Sequence, residues 1–325
     1  MSKVCLISLG GTITGCSNNP VSTTTYQVPV LSAQQLLDSI PVLPEVLVDA
    51  DNFMPIESSS LTPNLWQKLS KHITEKLNMG YDGVVILHGT DTMEETAYYL
   101  NLTVNTSKPI VITGAMRPNT ALSADGPLNL YQAIQVAASK SCHNLGVVTV
   151  MNNLILSARE LHKHNSVRPD AFNSIEIGLL GTIIDGHIDI LYKSNKKHTH
   201  QSVFCNISQT LPDVRIIYTY AGAPTTLLTN CLTENVSGVV ISAVGNGNIS
   251  PAWKEAIEKL TSSGIKVVRC SRTLGPVNRN GSNNDDSLNT IAGNSLSCDK
   301  ARILLMLALT QTNNNEEIQN YFYQY

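Results

Sequence analysis

Gly83-Val84-Val85-Ile86-Leu87-His88-Gly89-Thr90-Asp91-Thr92 reads as a buried strand that ends in a threonine-bearing turn. The apolar run is short, β-branched and free of polar alternation, as in a strand covered on both faces. The same pattern stands near the start, where Val4-Cys5-Leu6-Ile7-Ser8 leads into Leu9-Gly10-Gly11-Thr12-Ile13. Each stretch places a threonine hydroxyl just past a strand. In an open parallel sheet that is the edge where ligands bind. Glycine beside the hydroxyl lets backbone come close, so each threonine is a candidate nucleophile.

Further strands read at Pro109–Thr113, Gly146–Val150, 214–219, 238–243 and 265–269, with strand candidates at Gly181–Ile184 and Ile188–Leu191. Helices are expected between them. One begins at Thr62-Pro63 and runs to Leu77. Another is opened by Thr92-Met93-Glu94-Glu95 as a capping box. Others follow from Ser32 to Ile40, Pro127 to Ser139, Ser250-Pro251 to Leu260 and Asp299 to Leu309. This β-α-β alternation implies an α/β fold with right-handed crossovers. Two α/β domains are expected. The larger, 1–190, carries a parallel sheet and a long polar loop at 14–30 read as a flap. A linker at 191–212 precedes a smaller domain at 213–325.

Composition narrows the function classes. The 325 residues carry 42% hydrophobic and 14% charged side chains with a net charge of −3. No basic block exceeds Lys196-Lys197, so neither nucleic acid nor an anionic membrane is an expected partner. No apolar run approaches the ~20 residues that span a bilayer. The first residues read directly as a strand, so the expected compartment is the cytoplasm, or the periplasm if a secretory signal has been removed. Seven scattered cysteines without a C-x-x-C pair argue for buried free thiols rather than disulfides or zinc.

A threonine hydroxyl needs a base. Asp91 lies beside Thr90, and Lys163, just beyond a strand candidate, serves if desolvation lowers its pKa. Gly10-Gly11-Thr12 and Gly245-Asn246-Gly247-Asn248 lack the third glycine of a dinucleotide fingerprint, which leaves an oxidoreductase reading unsupported. His162, His164, His198 and His200 read as surface histidines, and Ser123-Ala124-Asp125-Gly126 as an N-cap and turn.

Six stretches together resemble the bacterial-type L-asparaginase family of amidohydrolases over essentially the whole length. They are LGGTI at 9–13, HGTDTMEETAYYL at 88–100, GAMRP at 114–118, SADGPLNLY at 123–131, GNGN at 245–248 and KARILLMLALTQT at 300–312. The resemblance implies hydrolysis of L-asparagine, with L-glutamine as the competing substrate, and needs no metal or cofactor. It implies that Thr12 attacks the side-chain amide and that Tyr26, on the flap, helps deprotonate it. Thr90 and Lys163 would handle water and its proton, while Asp91 holds the α-ammonium. Ser58, Ser59, Gly89, Ala115 and Asn248 would bind substrate. Ser58 would take the α-carboxylate, backbone at Ala115 and Thr90 the oxyanion, and Asn248 would reach a neighbouring subunit's site in a homotetramer. Two departures stand out. Glu57-Ser58-Ser59 stands where periplasmic members usually have Gly-Ser-Gln, and the acidic position of many members falls near Ser282 and Asn283, which are not acidic, with Asp285 or Asp286 the substitutes available. A non-catalytic amino-acid-binding regulator on the same fold is the reading from another class.

Overall fold

The computed structural model describes residues 1–27, 30–174, 177–281, 283 and 285–325; Val28 of the flap and Ser282 lie outside them. The chain divides into two compact α/β units, Met1–Ile207 and Ser208–Tyr325. The first unit extends past residue 190, with His198 and Phe204 buried and the Asn206 N–H bonded to the Thr103 carbonyl at 3.3 Å.

In the first unit, β1 (Ser2–Ser8), β2 (Val46–Asp51), β3 (Gly83–Leu87), β4 (Ile110–Thr113) and β5 (Val147–Met151) are parallel. They are joined by α1 (Ala33–Asp38), α2 (Pro63–Asn78), α3 (Met93–Thr103) and α4 (Gly126–Ala138). Next come β6 (Leu154–Ser157), β7 (Leu161–Lys163), β8 (Phe172–Ser174), β9 (Leu179–Ile184) and β10 (His187–Ile190). Among the described residues one sheet runs β10-β9-β6-β5-β4-β3-β1-β2, and β7 pairs with β8 apart from it. The pairs β5–β6, β6–β9 and β9–β10 are antiparallel, so the large sheet is mostly parallel with an antiparallel extension.

Alternation decides what each face buries. Val4, Leu6, Val85, Leu87 and Val111 pack with Leu36 of α1 and Leu130, Ala133, Ile134 and Ala137 of α4. Cys5, Ile7, Val84 and Ile86 therefore face the other side, where α2 lies against β3 and α3 against β5. The parallel strands run in the order β2-β1-β3-β4-β5, so the chain reverses its direction of winding between β1 and β3. The carboxyl ends at that reversal open a crevice. Thr12 follows β1 and Thr90 follows β3. Register keeps them level, with Ser8 opposite Leu87.

In the second unit β11 (Val214–Tyr218), β12 (Gly238–Ala243), β13 (Lys266–Ser271) and β14 (Ile291–Ala292) form a parallel sheet in that order. Its helices are α5 (Thr226–Thr229), α6 (Pro251–Ser262), α7 (Asp285–Leu288), α8 (Cys298–Ala308) and α9 (Asn315–Gln324). No helix among the described residues is long and apolar enough to cross a membrane. All seven cysteines are free, but Cys16, Cys205 and Cys298 are only half-buried.

Several local expectations need correction. Ser32 and Thr62 do cap their helices, accepting from the N–H groups of Gln35 and Leu65. Thr92 does not: its hydroxyl donates to the Ser58 carbonyl at 2.7 Å, a tertiary bond that displaces the capping box. Ser250 makes no side-chain cap either. Asp125 holds the Met116 and Arg117 N–H groups at 2.9 Å each instead of capping α4. His198 is buried rather than on the surface. Lys163 ends strand β7 rather than lying beyond a strand. Neither substitute acid is free: Asp285 is sealed against Arg269, and Asp286 pairs with Arg279 at 2.7 Å.

Candidate active site

The crevice at β1 and β3 holds a cavity of about 400 Å³. Thr12, Tyr26, Ser58, Ser59, Gly89, Thr90, Asp91 and Lys163 all line it, so most of the side chains singled out from the sequence converge in the first unit. Ala115 is fully buried and is not among the lining residues, although Met116 beside it is. Asn248 stands in the second unit. There it lines a cleft of about 550 Å³ with Tyr220, Trp253 and Arg272.

Close backbone packing sets the two threonine turns together. Gly11 has φ +89°, and a Cβ there would sit 2.5 Å from backbone atoms of Gly89. A Cβ on Gly89 would in turn lie 2.7 Å from the Ser58 hydroxyl. Any side chain at either position would separate the turns or displace Ser58.

Thr12 opens a short 3-10 turn, and its hydroxyl lies 2.6 Å from the Tyr26 hydroxyl. Tyr26 belongs to a flap whose ends are joined by paired bonds between Cys16 and Gln27 at 3.2 and 3.0 Å. The loop 119–122 clasps that flap. Asn119 N–H donates to the Gly15 carbonyl and Leu122 N–H to the Pro20 carbonyl, each at 2.8 Å. Thr120 accepts from the Ser17 N–H at 2.8 Å and donates to the Ser17 carbonyl at 3.0 Å.

The Thr90 side is built from within. The Lys163 ammonium donates to the Thr90 hydroxyl at 2.8 Å and to Asp91 at 2.6 Å. Beneath them His88 is fully buried, and burial drives its pKa down from 6.5 to about 4 against the opposing bond to the Gly89 carbonyl. The ring is therefore neutral at pH 7, and its hydrogen bonds assign the tautomer. Nδ1–H donates to the Gly89 carbonyl at 2.6 Å, which leaves Nε2 to accept from the Thr96 hydroxyl at 2.9 Å. The Trp66 indole N–H completes the series by donating to Thr96 at 2.9 Å. Each donor has one acceptor, and the chain of bonds ends on the peptide that carries Thr90.

The arrangement offers a hydroxyl beside a phenol, and a second hydroxyl beside an amine that is tied to a carboxylate. That set suits addition to a carbonyl, with proton relays on either side of it. Among the described residues no group of His, Cys, Asp and Glu could hold a metal ion. Sequence reasoning gave no role to Glu57, Thr23, Thr24, Met116 and Ser166, which also line the cavity. Nearness to the flap, to Ser58 and to Lys163 was the available signal.

Comparison with known proteins agrees with this geometry. Residues 3–196 match the family described as "Asparaginase, N-terminal", and residues 213–322 match "Glutaminase/Asparaginase C-terminal domain". "L-asparaginase 2" of Bacillus subtilis is 39% identical, covering 100% of this chain and 87% of that protein. "Glutaminase-asparaginase" of Pseudomonas fluorescens is 36% identical over 100% of this chain and 91% of its own length. The crystal structure of a probable cytoplasmic L-asparaginase from Campylobacter jejuni covers both chains fully, at 38% identity and a TM-score of 0.96.

Proposed function

The chain belongs to the asparaginase–glutaminase family, and from that premise we propose that it hydrolyses L-asparagine through an acyl-enzyme on Thr12. The protein is an amidohydrolase of the L-asparaginase type, releasing L-aspartate and ammonia. The observation that carries the acyl-enzyme route is that two buried threonine hydroxyls face one cavity with different partners, a phenol at 2.6 Å and an ammonium at 2.8 Å.

In the first half-reaction the Thr12 oxygen attacks the side-chain amide carbon while its proton passes toward Tyr26. The negative charge on the amide oxygen is met by the backbone N–H of Thr90. The C–N bond then breaks, and the amide nitrogen leaves as ammonia after accepting a proton. An aspartyl ester on Thr12 remains. Water attacks that ester beside Thr90, whose hydroxyl exchanges protons with Lys163. The Thr12 oxygen recovers its proton and aspartate leaves. Throughout, Ser58 and Ser59 hold the α-carboxylate, Gly89 lets it approach, and Asp91 holds the α-ammonium.

Mixed specificity is the second reading, favoured by relatives named glutaminase-asparaginase at 36–37% identity. A short Ser59 at the α-carboxylate end favours asparagine as the better substrate. We also place the enzyme in the cytoplasm, where its seven free thiols stay reduced. We read it as a homotetramer in which Asn248 serves a neighbour's site.

A coupled ammonia assay with both amides tests the reaction and its preference. Thr12→Ala is expected to abolish ammonia release while preserving the fold by circular dichroism. Normal turnover in that variant would remove the acyl-enzyme reading. Asparagine binding without any ammonia from the unaltered protein would instead favour a regulator.

A further inference from the structure

We propose that Glu57 is a specificity-determining residue of this cavity, an unpaired carboxylate that selects substrates bearing an α-ammonium group. The inference rests on the asparagine-hydrolase reading and names the feature of the substrate that the site checks.

Charge balance is the first ground. The charged residues lining the cavity are Glu57, Asp91 and Lys163. Lys163 and Asp91 neutralise one another at 2.6 Å. Among the described residues the Glu57 carboxylate has neither an ion pair nor a side-chain hydrogen bond; only its backbone carbonyl is engaged, by the Ser60 N–H at 2.9 Å. The cavity lining thus carries one negative charge in excess. A carboxylate facing a binding space is stabilised most by a ligand that brings a cationic donor.

Placement is the second ground. Glu57 is not on a loose loop. Before it, the Ile56 N–H bonds the Leu9 carbonyl at 2.9 Å. After it, the Ser58 carbonyl accepts the Thr92 hydroxyl at 2.7 Å. Glu57 itself is extended, φ −68° and ψ 135°, and precedes the 3-10 turn Ser58–Ser60. Both neighbours are tied to the turns that carry Thr12 and Thr90, so Glu57 is held at a fixed station on the rim. Glutamate also has the reach that the short side chain of Ser59 lacks.

Two consequences follow. Asparagine and glutamine, with their ammonium groups, are drawn in, whereas the deaminated analogue succinamic acid is turned away. The product aspartate carries one more carboxylate than the substrate and meets the same repulsion, which favours its release.

The test measures binding of L-asparagine and of succinamic acid by calorimetry in a Thr12→Ala background, with Glu57 intact, Glu57→Gln and Glu57→Asp. Glu57→Gln is expected to weaken asparagine about five- to tenfold while succinamic acid binds as well as before or better. Glu57→Asp keeps most of the discrimination. A ratio of the two affinities that Glu57→Gln leaves unchanged, whether both ligands weaken equally or neither does, overturns the proposal. Thermal melting confirms that each variant is folded. If the unaltered enzyme releases no ammonia from asparagine, the hydrolase reading fails, and the affinity ratio still decides the role of Glu57.

Discussion

Lys163–Asp91 and Arg269–Asp285 are both ion pairs to an aspartate, one in each unit, in opposite surroundings. The Asp91 side chain is 72% exposed, while Arg269 and Asp285 are 1% and 0% exposed. In the sealed pair every polar atom is engaged. Arg269 clasps both carboxylate oxygens and also donates to the Gly247 carbonyl at 2.7 Å. Asp285 further accepts from the Asn280 N–H at 2.8 Å and the Thr290 hydroxyl at 2.6 Å. Burial pushes the Asp285 carboxyl upward, but Arg269, Thr290 and Asn280 outweigh it and hold its pKa below the ordinary range. Nothing is left over for a ligand, so this pair fixes the Gly247 turn. Lys163 uses two of its three protons on Thr90 and Asp91. An ion pair serves chemistry where it remains incomplete and open to a cavity, and serves architecture where it is complete and dry.

Replacing each cation by methionine sharpens that contrast. Lys163→Met is expected to lower kcat by about 10²–10⁴-fold with little change in melting temperature; a loss under threefold would break the assignment of Lys163 to proton transfer. Arg269→Met should instead cost about 3–5 kcal/mol of unfolding free energy, read from urea denaturation. Removing Asp285 together with it, as Arg269→Met/Asp285→Leu, should recover much of that loss.

His88 extends the comparison to a buried group with no charged partner. Its folded pKa of about 4 lies below the unfolded value near 6.5. The unfolded chain therefore binds the proton first. The stability tied to a neutral His88 is fully present above pH 6.5 and is lost as pH falls toward 4, by about 3 kcal/mol in all. His88→Gln should flatten the pH dependence of unfolding over that window; an unchanged slope would contradict the neutral, buried assignment. The smallest effect is expected at the clasp. Thr120→Val removes both bonds to Ser17, worth ~1 kcal/mol net. KM should rise about fivefold at nearly constant kcat, with Thr120→Ser restoring it.

The strands, and with them the two threonine turns, were legible because uninterrupted β-branched runs have few other solutions. The crevice followed from strand order, which the alternation of elements implied but could not number. What stayed hidden was tertiary. Thr92 has the residue pattern of a capping box, yet the Ser58 carbonyl is a nearer use for its hydroxyl. Asp285 looked like an available acid because sequence does not say that Arg269 will face it 16 residues away. Glu57 was read as a departure from a motif, and only the cavity gives it a place. Lys163 was singled out by its place past a strand candidate and again by resemblance, whereas its hold on Thr90 depends on a long-range approach across 73 residues.

The clasped flap has a consequence for what the enzyme leaves alone. Tyr26 is bonded to Thr12 and the loop 119–122 is fastened to residues 15–20, and a flap anchored in both places opposes the opening that chain on either side of an asparagine would need. Asparagine side chains of folded or nascent proteins, this chain's own included, are chemically identical to the substrate at the amide. The fastened flap thus sets a free asparagine apart from one held within a chain.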